Sequence, residues 1–379
     1  MKEVLNIKVA SIYLGRKGGG ALYAYEMTKA ISDKANVLYV VSKQAENIET
    51  IRTCAEGKFT LHEMNTYTGM ISLVFSTLSI TKFFRLWREI RDFDPDVIYY
   101  PMSHSWTILL NAMFRRYKKV VTIHDVVAHL GEGSFVEEIM SKIILKQCDQ
   151  FIILSRVFLE KMANLGVDLN KVTMIPHGIF DYYNSRAGKQ SEKVYQKRLL
   201  FFGRISEYKG VGVLLRAFKL IREREPEATL LVVGSGDMTP YEKNLEELSC
   251  VEVVNRWIAD EEVEDFFAKG DILVVPYIDA SQSGVILTAY GFSMPVISSD
   301  IGGLSEQVVE GKSGVLFESG NVEALANACV QMLGNPNQVK AMGDYAYAYA
   351  KNTYNWDTLS SQLLDSFDIP RQPKLDRIS

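Results

Sequence analysis

The stretch LLFFGRISEYKGVGVLLRAFKLIR, residues 199–222, decides how the chain is read. It opens on an apolar run, Leu199–Phe202, and passes through a glycine-flanked loop carrying Arg204 and Lys209. It then enters a segment that sets Val211, Leu214, Leu215, Phe218 and Ile221 on one helical face. An apolar strand feeding a loop and an amphipathic helix is half of a parallel βαβ unit. A strand apolar on both faces belongs inside a sheet covered by helices on both sides. Two cations and free backbone donors at a helix N-terminus suit a diphosphate, because arginine chelates oxygens in bidentate fashion and lysine adds a point charge. The competing reading is a pair of solvated surface charges; Gly203, Gly210 and the buried strand ahead of them count against it.

The same alternation extends in both directions. Upstream, Ile7–Leu14, Val37–Val41, Val97–Tyr100, Val120–Ile123, Phe151–Leu154 and Val172–Ile175 read as strands, with helical stretches such as Ala21–Ile31 and Ile80–Arg91 between them. Downstream, Leu230–Val233, Val251–Val254, Ile272–Val275 and Val296–Ser298 repeat the pattern. Asn321 reads as the N-cap of a helix ending near Leu333, and a last helix runs from about Trp356 to Phe367. Between the two series, Asp181–Lys197 is polar and aperiodic, which marks a linker. The expected fold is α/β: two doubly wound lobes, residues 1–180 and 198–355, whose strand ends face a central cleft.

Composition removes other classes. Of 379 residues, 47 % are hydrophobic and 23 % charged, which is globular and excludes disorder. Lysine and arginine number 42 against 46 acidic residues, a net charge of −4, so no global basic field exists to hold nucleic acid. Cys54, Cys148, Cys250 and Cys329 lie far apart and fit thiols of a reducing compartment better than disulfides or zinc ligands. The opening MKEVLNIK is charged at once and does not read as a signal peptide, and no apolar run reaches the ~18–20 residues that span a bilayer. The expected location is the cytoplasm.

Further motifs sit where strands give way to helices. Gly15–Gly20 (GRKGGG) follows the first strand, and Gly18 and Gly19 would let backbone amides approach an anion or a sugar; its spacing fits neither GxGxxG nor GxxxxGK[ST], and the plain alternative is a flexible turn. Gly234 and Gly236 end another strand, and a short Gly-x-Gly of this kind often marks only a tight turn. In Arg256-Trp257-Ile258, an exposed aromatic or a backbone edge would hold a base, unless the tryptophan belongs to the core. His124-Asp125 and His177-Gly178 both fall at strand ends, where sites collect; the alternative is a satisfied structural histidine for His124 and hinge-loop packing near the linker for His177. Ser281, Ser283 and Gly284 precede a helix expected over Val285–Phe292, and Gly302-Gly303-Leu304-Ser305-Glu306 forms another glycine-rich turn.

Taken in this order, with Ile175-Pro176-His177-Gly178 and Pro295-Val296-Ile297 added, these motifs resemble the large retaining family 4 of GT-B glycosyltransferases over roughly residues 5–366. The resemblance implies an acceptor-binding first lobe and a nucleotide-sugar-binding second lobe, with the terminal helix crossing back to the first. It implies that Arg204 and Lys209 hold the donor diphosphate and that His124 contacts the donor sugar, or its reacting region, from the first lobe, these three being the catalytic candidates. Gly18–Gly20 would then lie between donor phosphates and acceptor, and Arg256–Ile258 would contact the base largely through backbone. One departure stands out. The family's Glu-x7-Glu pair, counted back from Pro295, falls on Ala280 and Thr288. Thr288, Ser281, Ser283 and Gly284 offer only neutral donors there, worth roughly 1–2 kcal/mol less than a charged group.

The reaction expected is transfer of a sugar from a nucleotide-diphosphate donor to a hydroxyl of a glycan or lipid-linked acceptor, with retention, in polysaccharide or glycoconjugate biosynthesis. No cofactor and no metal are expected, since the cations take the metal's place. The missing carboxylates motivate a different reading, a non-catalytic partner subunit that binds a sugar nucleotide or glycan. A sugar-nucleotide epimerase is a third. The basic, aromatic run Lys82–Arg91 and the patch Arg115–Lys119 fit peripheral contact with the inner face of an anionic membrane; the alternative is a crossover helix with solvated charges.

Overall fold

Strands buried on both faces form the two cores: every residue of Val97–Tyr100 in one sheet and of Ile272–Val275 in the other is buried. The computed structural model describes residues 7–67, 69–124, 135–180 and 194–369. Two α/β units emerge, each with its own parallel sheet.

The first unit runs through Gly178 and takes back the chain from Trp356. Its strands are β1 (Lys8–Tyr13), β2 (Asn36–Ser42), β3 (Thr60–Met64), β4 (Val97–Tyr100), β5 (Lys118–Ile123), β6 (Gln150–Ile153) and β7 (Val172–Met174), in spatial order β3-β2-β1-β4-β5-β6-β7. The order reverses between β1 and β4, so the loops that follow these two strands flank the switch point, where open sheets bind ligands. Leu86, Ile90, Leu110, Phe151 and Phe158 are among the side chains packed into the core.

The second unit runs from Ile179 to Asn355. It contains β8 (Arg198–Phe202), β9 (Thr229–Gly234), β10 (Val251–Asn255), β11 (Ile272–Val275), β12 (Val296–Ser299) and β13 (Gly314–Phe317), ordered β10-β9-β8-β11-β12-β13. Here the switch point lies between β8 and β11. The Asn321 side chain accepts from Ala324 N–H at 3.0 Å and caps the helix Val322–Leu333. Of the linker expected at 181–197, residues 181–193 lie outside the described residues. The remainder is tied to the second unit, Tyr195 Oη donating to Leu333 O at 3.0 Å and Gln196 N–H to Asp271 Oδ2 at 2.9 Å.

β3 and β13 have no counterpart among the strands read from sequence. Both are edge strands, and β3 (TLHEM) is only partly buried, so neither needs the unbroken apolar run that marks a central strand. Among the described residues no helix is long and apolar enough to cross a membrane.

The returning helix, Trp356–Ser366, packs on the helix Gly19–Ser32, and one buried lysine fastens it. Lys34 Nζ donates to Asp357 O, to Ser360 Oγ at 2.9 Å and to Ser361 Oγ at 2.6 Å, and lies 3.1 Å from Asp357 Oδ1. Replacing it leaves these acceptors without their donor. Lys34→Met should therefore cost about 2 kcal/mol of stability and speed amide exchange within 357–364; exchange as slow as in the parent would contradict this.

Candidate functional site

In the second unit, the loops after β8 and β11 carry the expected donor-binding residues and meet at the switch point. Gly210 ends the first loop with φ 71°, and a Cβ there would sit 1.8 Å from the Pro276 carbonyl oxygen of the second. That contact sets the start of the helix Val211–Arg224 against the β11 loop. Gly203 lies beside the start of the other helix, Gly284–Gly291: a Cβ on it would be 3.8 Å from Val285 Cγ2. Two helix N-termini thus open toward one place, which favours an anion.

Lys209 is half-buried with its ammonium 3.8 Å from the centroid of Tyr277 and 4.9 Å from that of Tyr208. Burial acts to lower its pKa, but the facing Tyr277 and Tyr208 more than offset this, so it is raised and the lysine stays charged. Arg204 is exposed and donates to Tyr208 Oη at 3.1 Å. Ser281 and Ser283 are buried; Ser283 Oγ is 3.3 Å from Tyr277 Oη. Gln307 holds Ser283 from both sides, its Oε1 accepting from Ser283 N–H at 2.8 Å and its Nε2 donating to Ser283 O at 3.1 Å. Tyr277 and Gln307 were not among the sequence candidates. The switch-point rule applied to β11 points to Tyr277; Gln307 carries no local signal.

Other candidates take on structural work. Gly234 ends β9 with φ 147°, and a Cβ on it would lie 1.8 Å from Gly203 O, so its lack of a side chain lets the β9 end lie against the β8 loop. The hydroxyl expected of Thr288 donates to Gly284 O within its own helix at 3.0 Å. Ala280 is buried. The Arg256 guanidinium pairs with Glu262 at 2.5 and 2.8 Å, while Ile258 is half-buried and Trp257 is 47 % exposed, so this tryptophan is not a core residue.

The first unit gathers a different set. His124 follows β5, and its ring stands edge-on to Tyr23 with centroids 4.8 Å apart. Its Nε2 lies 2.9 Å from Pro101 O, and since a carbonyl only accepts, Nε2 carries the proton. A cavity of about 240 Å³ opens beside it, lined by Met102, Thr122, Ile144, Leu145 and Met162 among others. Asp125 lies outside the described residues. His177 is buried between Tyr23 and Trp356, at 5.1 and 5.8 Å, and donates from Nδ1 to Gly178 O. Gly18 N–H donates to Glu46 Oε1 at 2.5 Å at the start of the helix Gly19–Ser32, so an internal carboxylate already occupies part of that helix terminus. Gly19 is exposed, and a Cβ on it would meet nothing within 4 Å.

Burial pushes the His177 pKa down to about 3, His124 acting in the same sense and the Gly178 carbonyl opposing. The native imidazole refuses a proton that the unfolded chain binds below about pH 6.5, so stability falls as pH drops from 7 toward 3. The expected slope is ~1.4 kcal/mol per pH unit for this residue at its steepest. Urea denaturation at pH 7 and pH 5 should show His177→Gln losing less stability than the parent; equal losses would contradict the assignment.

Family profiles match both units: "Glycosyltransferase Family 4" over residues 17–180 and "Glycosyl transferases group 1" over residues 196–335. A D-inositol 3-phosphate glycosyltransferase of Corynebacterium urealyticum is 33 % identical over 46 % of this chain and 43 % of its own. A GDP-mannose-dependent alpha-(1-6)-phosphatidylinositol monomannoside mannosyltransferase of Mycolicibacterium smegmatis is 29 % identical over 45 % of this chain and 47 % of its own. The alignments thus span about half the length of these relatives. In fold, the chain is similar to HepE of Anabaena, solved with UDP and glucose, at a TM-score of 0.71 and 18 % identity over 95 % of this chain and 99 % of that one. With matching profiles on both units and this fold across nearly the whole length, the chain belongs to the family 4 glycosyltransferases of the GT-B fold.

Proposed function

We propose that the chain transfers a sugar from a nucleoside-diphosphate donor to a hydroxyl acceptor, with retention of anomeric configuration, in glycoconjugate biosynthesis. The observation that carries this is the convergence of Lys209, Arg204 and two helix N-termini at the second unit's switch point. As the bond from the anomeric carbon to the β-phosphate oxygen breaks, negative charge builds on the diphosphate, where preorganised cations and amides stabilise it most. Thr288 and Ala280 supply no carboxylate for a covalent glycosyl-enzyme. The acceptor oxygen would therefore attack from the face the diphosphate leaves, its proton passing to a departing phosphate oxygen. Sugar-nucleotide relatives and structural neighbours support the donor class; GDP-mannose and UDP both occur among their names, so the base stays open.

Incubation with a panel of sugar nucleotides and acceptors, followed by NMR of the new linkage, tests the reaction. Retained configuration is expected, with turnover unaffected by EDTA because Arg204 and Lys209 neutralise the leaving group. Arg204→Ala combined with Lys209→Ala should lower turnover roughly 10²- to 10³-fold. Near-normal transfer by that variant would remove the phosphate assignment, and binding without turnover in the parent would favour a partner subunit.

We also propose that the first unit approaches its acceptor at an anionic membrane surface. In the helices Met70–Leu78 and Ile80–Phe93, Phe75, Leu78, Ile80 and Phe84 are 71, 69, 77 and 57 % exposed, beside exposed Arg85 and Arg88. The inner face of the second helix, Phe83, Leu86 and Ile90, is core, as the crossover reading has it. The patch Arg115–Lys119 contributes less than its composition suggests: Arg116 pairs with Asp94 at 2.8 Å, Lys118 donates to Phe367 O at 2.5 Å, and Lys119 is buried. Sedimentation with anionic vesicles at low salt should bring the protein down, and Phe75→Ser with Leu78→Ser should release it; no binding by the parent contradicts the proposal.

A further inference from the structure

The first unit holds a second group of side chains at its switch point, distinct from those on the loops of the second unit and braced by the helices Met70–Leu78 and Ile80–Phe93, Trp106 Nε1 donating to Thr77 Oγ1 at 2.8 Å. Arg16 comes from the loop after β1, Tyr67 from the segment after β3, His104 and Trp106 from the loop after β4, and Lys82 from the helix Ile80–Phe93. They form a continuous chain of contacts. The Arg16 guanidinium lies 6.0 Å from the Tyr67 ring centroid, Tyr67 is 5.4 Å from His104, His104 is 5.4 Å from Trp106, and Lys82 Nζ is 3.9 Å from the Trp106 centroid. Tyr67 Oη and Ser105 Oγ are 3.0 Å apart.

Among the described residues no carboxylate pairs with Arg16 or Lys82. Among the described residues the half-buried Arg16 guanidinium has no hydrogen-bond or ion-pair partner. Lys82 donates to Asn65 O at 3.1 Å and to Ser76 Oγ, neither of which is an anion. Glu46, on the neighbouring loop, is engaged by Gly18 N–H. His104 is neutral by geometry, because its Nδ1 accepts from Trp106 N–H at 3.2 Å and its one proton is therefore on Nε2. Burial, then the fields of Arg16 and Lys82, push its pKa down to about 4, and burial draws Lys82 down to about 8. A cationic pocket that denies a histidine its proton is one that a bound anion relieves.

We propose that this cluster is a phosphate subsite for the acceptor, with Arg16 as the direct ligand, Lys82 supplying field, and His104 Nε2–H, Tyr67 and Ser105 as neutral donors. It rests on the glycosyltransfer reading and goes beyond it by giving the acceptor a phosphate. Phosphate fits because one arginine fork and several neutral donors match its many acceptor oxygens, and the aromatic rings offer apolar faces to the group that bears it. The phosphate belongs either to a soluble ester or to a lipid headgroup.

The test uses the full chain labelled with 5-fluorotryptophan, in which Trp106→Phe assigns one of four tryptophan resonances. Inorganic phosphate, glycerol phosphate and phosphatidylglycerol vesicles are titrated in turn at constant ionic strength. A saturable shift of the Trp106 signal is expected, with its midpoint raised about tenfold in Arg16→Ala, partly restored in Arg16→Lys, and unmoved in Lys340→Ala, an exposed lysine of the second unit. Arg16 bears no partner, so its alanine variant should keep the parent's circular dichroism. A shift with glycerol phosphate supports the subsite with a soluble ligand; a shift with vesicles alone supports it with a headgroup. A Trp106 signal unmoved by all three, or an unchanged midpoint in Arg16→Ala, overturns it. Release of nucleoside diphosphate from sugar nucleotides by the parent reports separately on the glycosyltransfer reading, so either can fail while the other stands.

Discussion

Backbone pressed against backbone at the second switch point is the constraint on which the proposed donor site depends. The β8 loop must lie against the β11 loop closely enough that the start of one helix touches the carbonyl of Pro276, and only glycine at 210 allows that approach with a positive φ. The reward is chemical. Lys209, one residue earlier, is carried over the face of Tyr277, whose hydroxyl reaches Ser283, which Gln307 in turn holds by both backbone groups. A cation held in place by aromatic faces and a locked loop would need little reorganisation to meet the diphosphate of the proposed donor.

The two units solve the same folding problem and differ in the chemistry at their strand ends. The second unit offers charge that stays charged: a lysine whose pKa is raised and an arginine at a loop tip. The first offers imidazoles kept neutral by burial, aromatic rings, and hydroxyls linked in the chain Tyr23–Tyr99–Thr122, with 3.3 and 2.8 Å between successive oxygens. The first unit also carries cations, Arg16 and Lys82, but sets them among rings and neutral donors that suit a sugar or its carrier, whereas the fixed charge on the loops of the second suits a leaving diphosphate. The proposed division of labour between them rests on these side chains and not on the fold, which is common to both.

How much of this was legible depended on whether a feature is local. Central strands such as Val97–Tyr100 and Ile272–Val275 announce themselves because burial on both faces demands an unbroken apolar run. Edge strands β3 and β13 face no such demand and pass unnoticed. Arg204 and Lys209 could be found from sequence because a loop between an apolar strand and an amphipathic helix places them in advance. Gln307 could not, since its role comes from a contact 24 residues away in the chain. Arg16 was visible as a letter in the glycine loop, but its lack of a partner depends on Tyr67, Lys82 and His104, which only the folded sheet brings to it. The helix Met70–Leu78 has no counterpart among the helices read from sequence, its apolar residues being interrupted by Ser72, Ser76 and Thr77.

The central claim is that the diphosphate of the donor sits in the second unit, on the loop 203–210. A crystal structure with a bound nucleoside diphosphate tests it most directly. The account predicts phosphate oxygens within hydrogen-bond reach of Lys209 Nζ and the Arg204 guanidinium, at the start of the helix Gly284–Gly291. A diphosphate seated instead on the glycine loop of the first unit, with Lys209 still facing only Tyr277 and Tyr208, would contradict it.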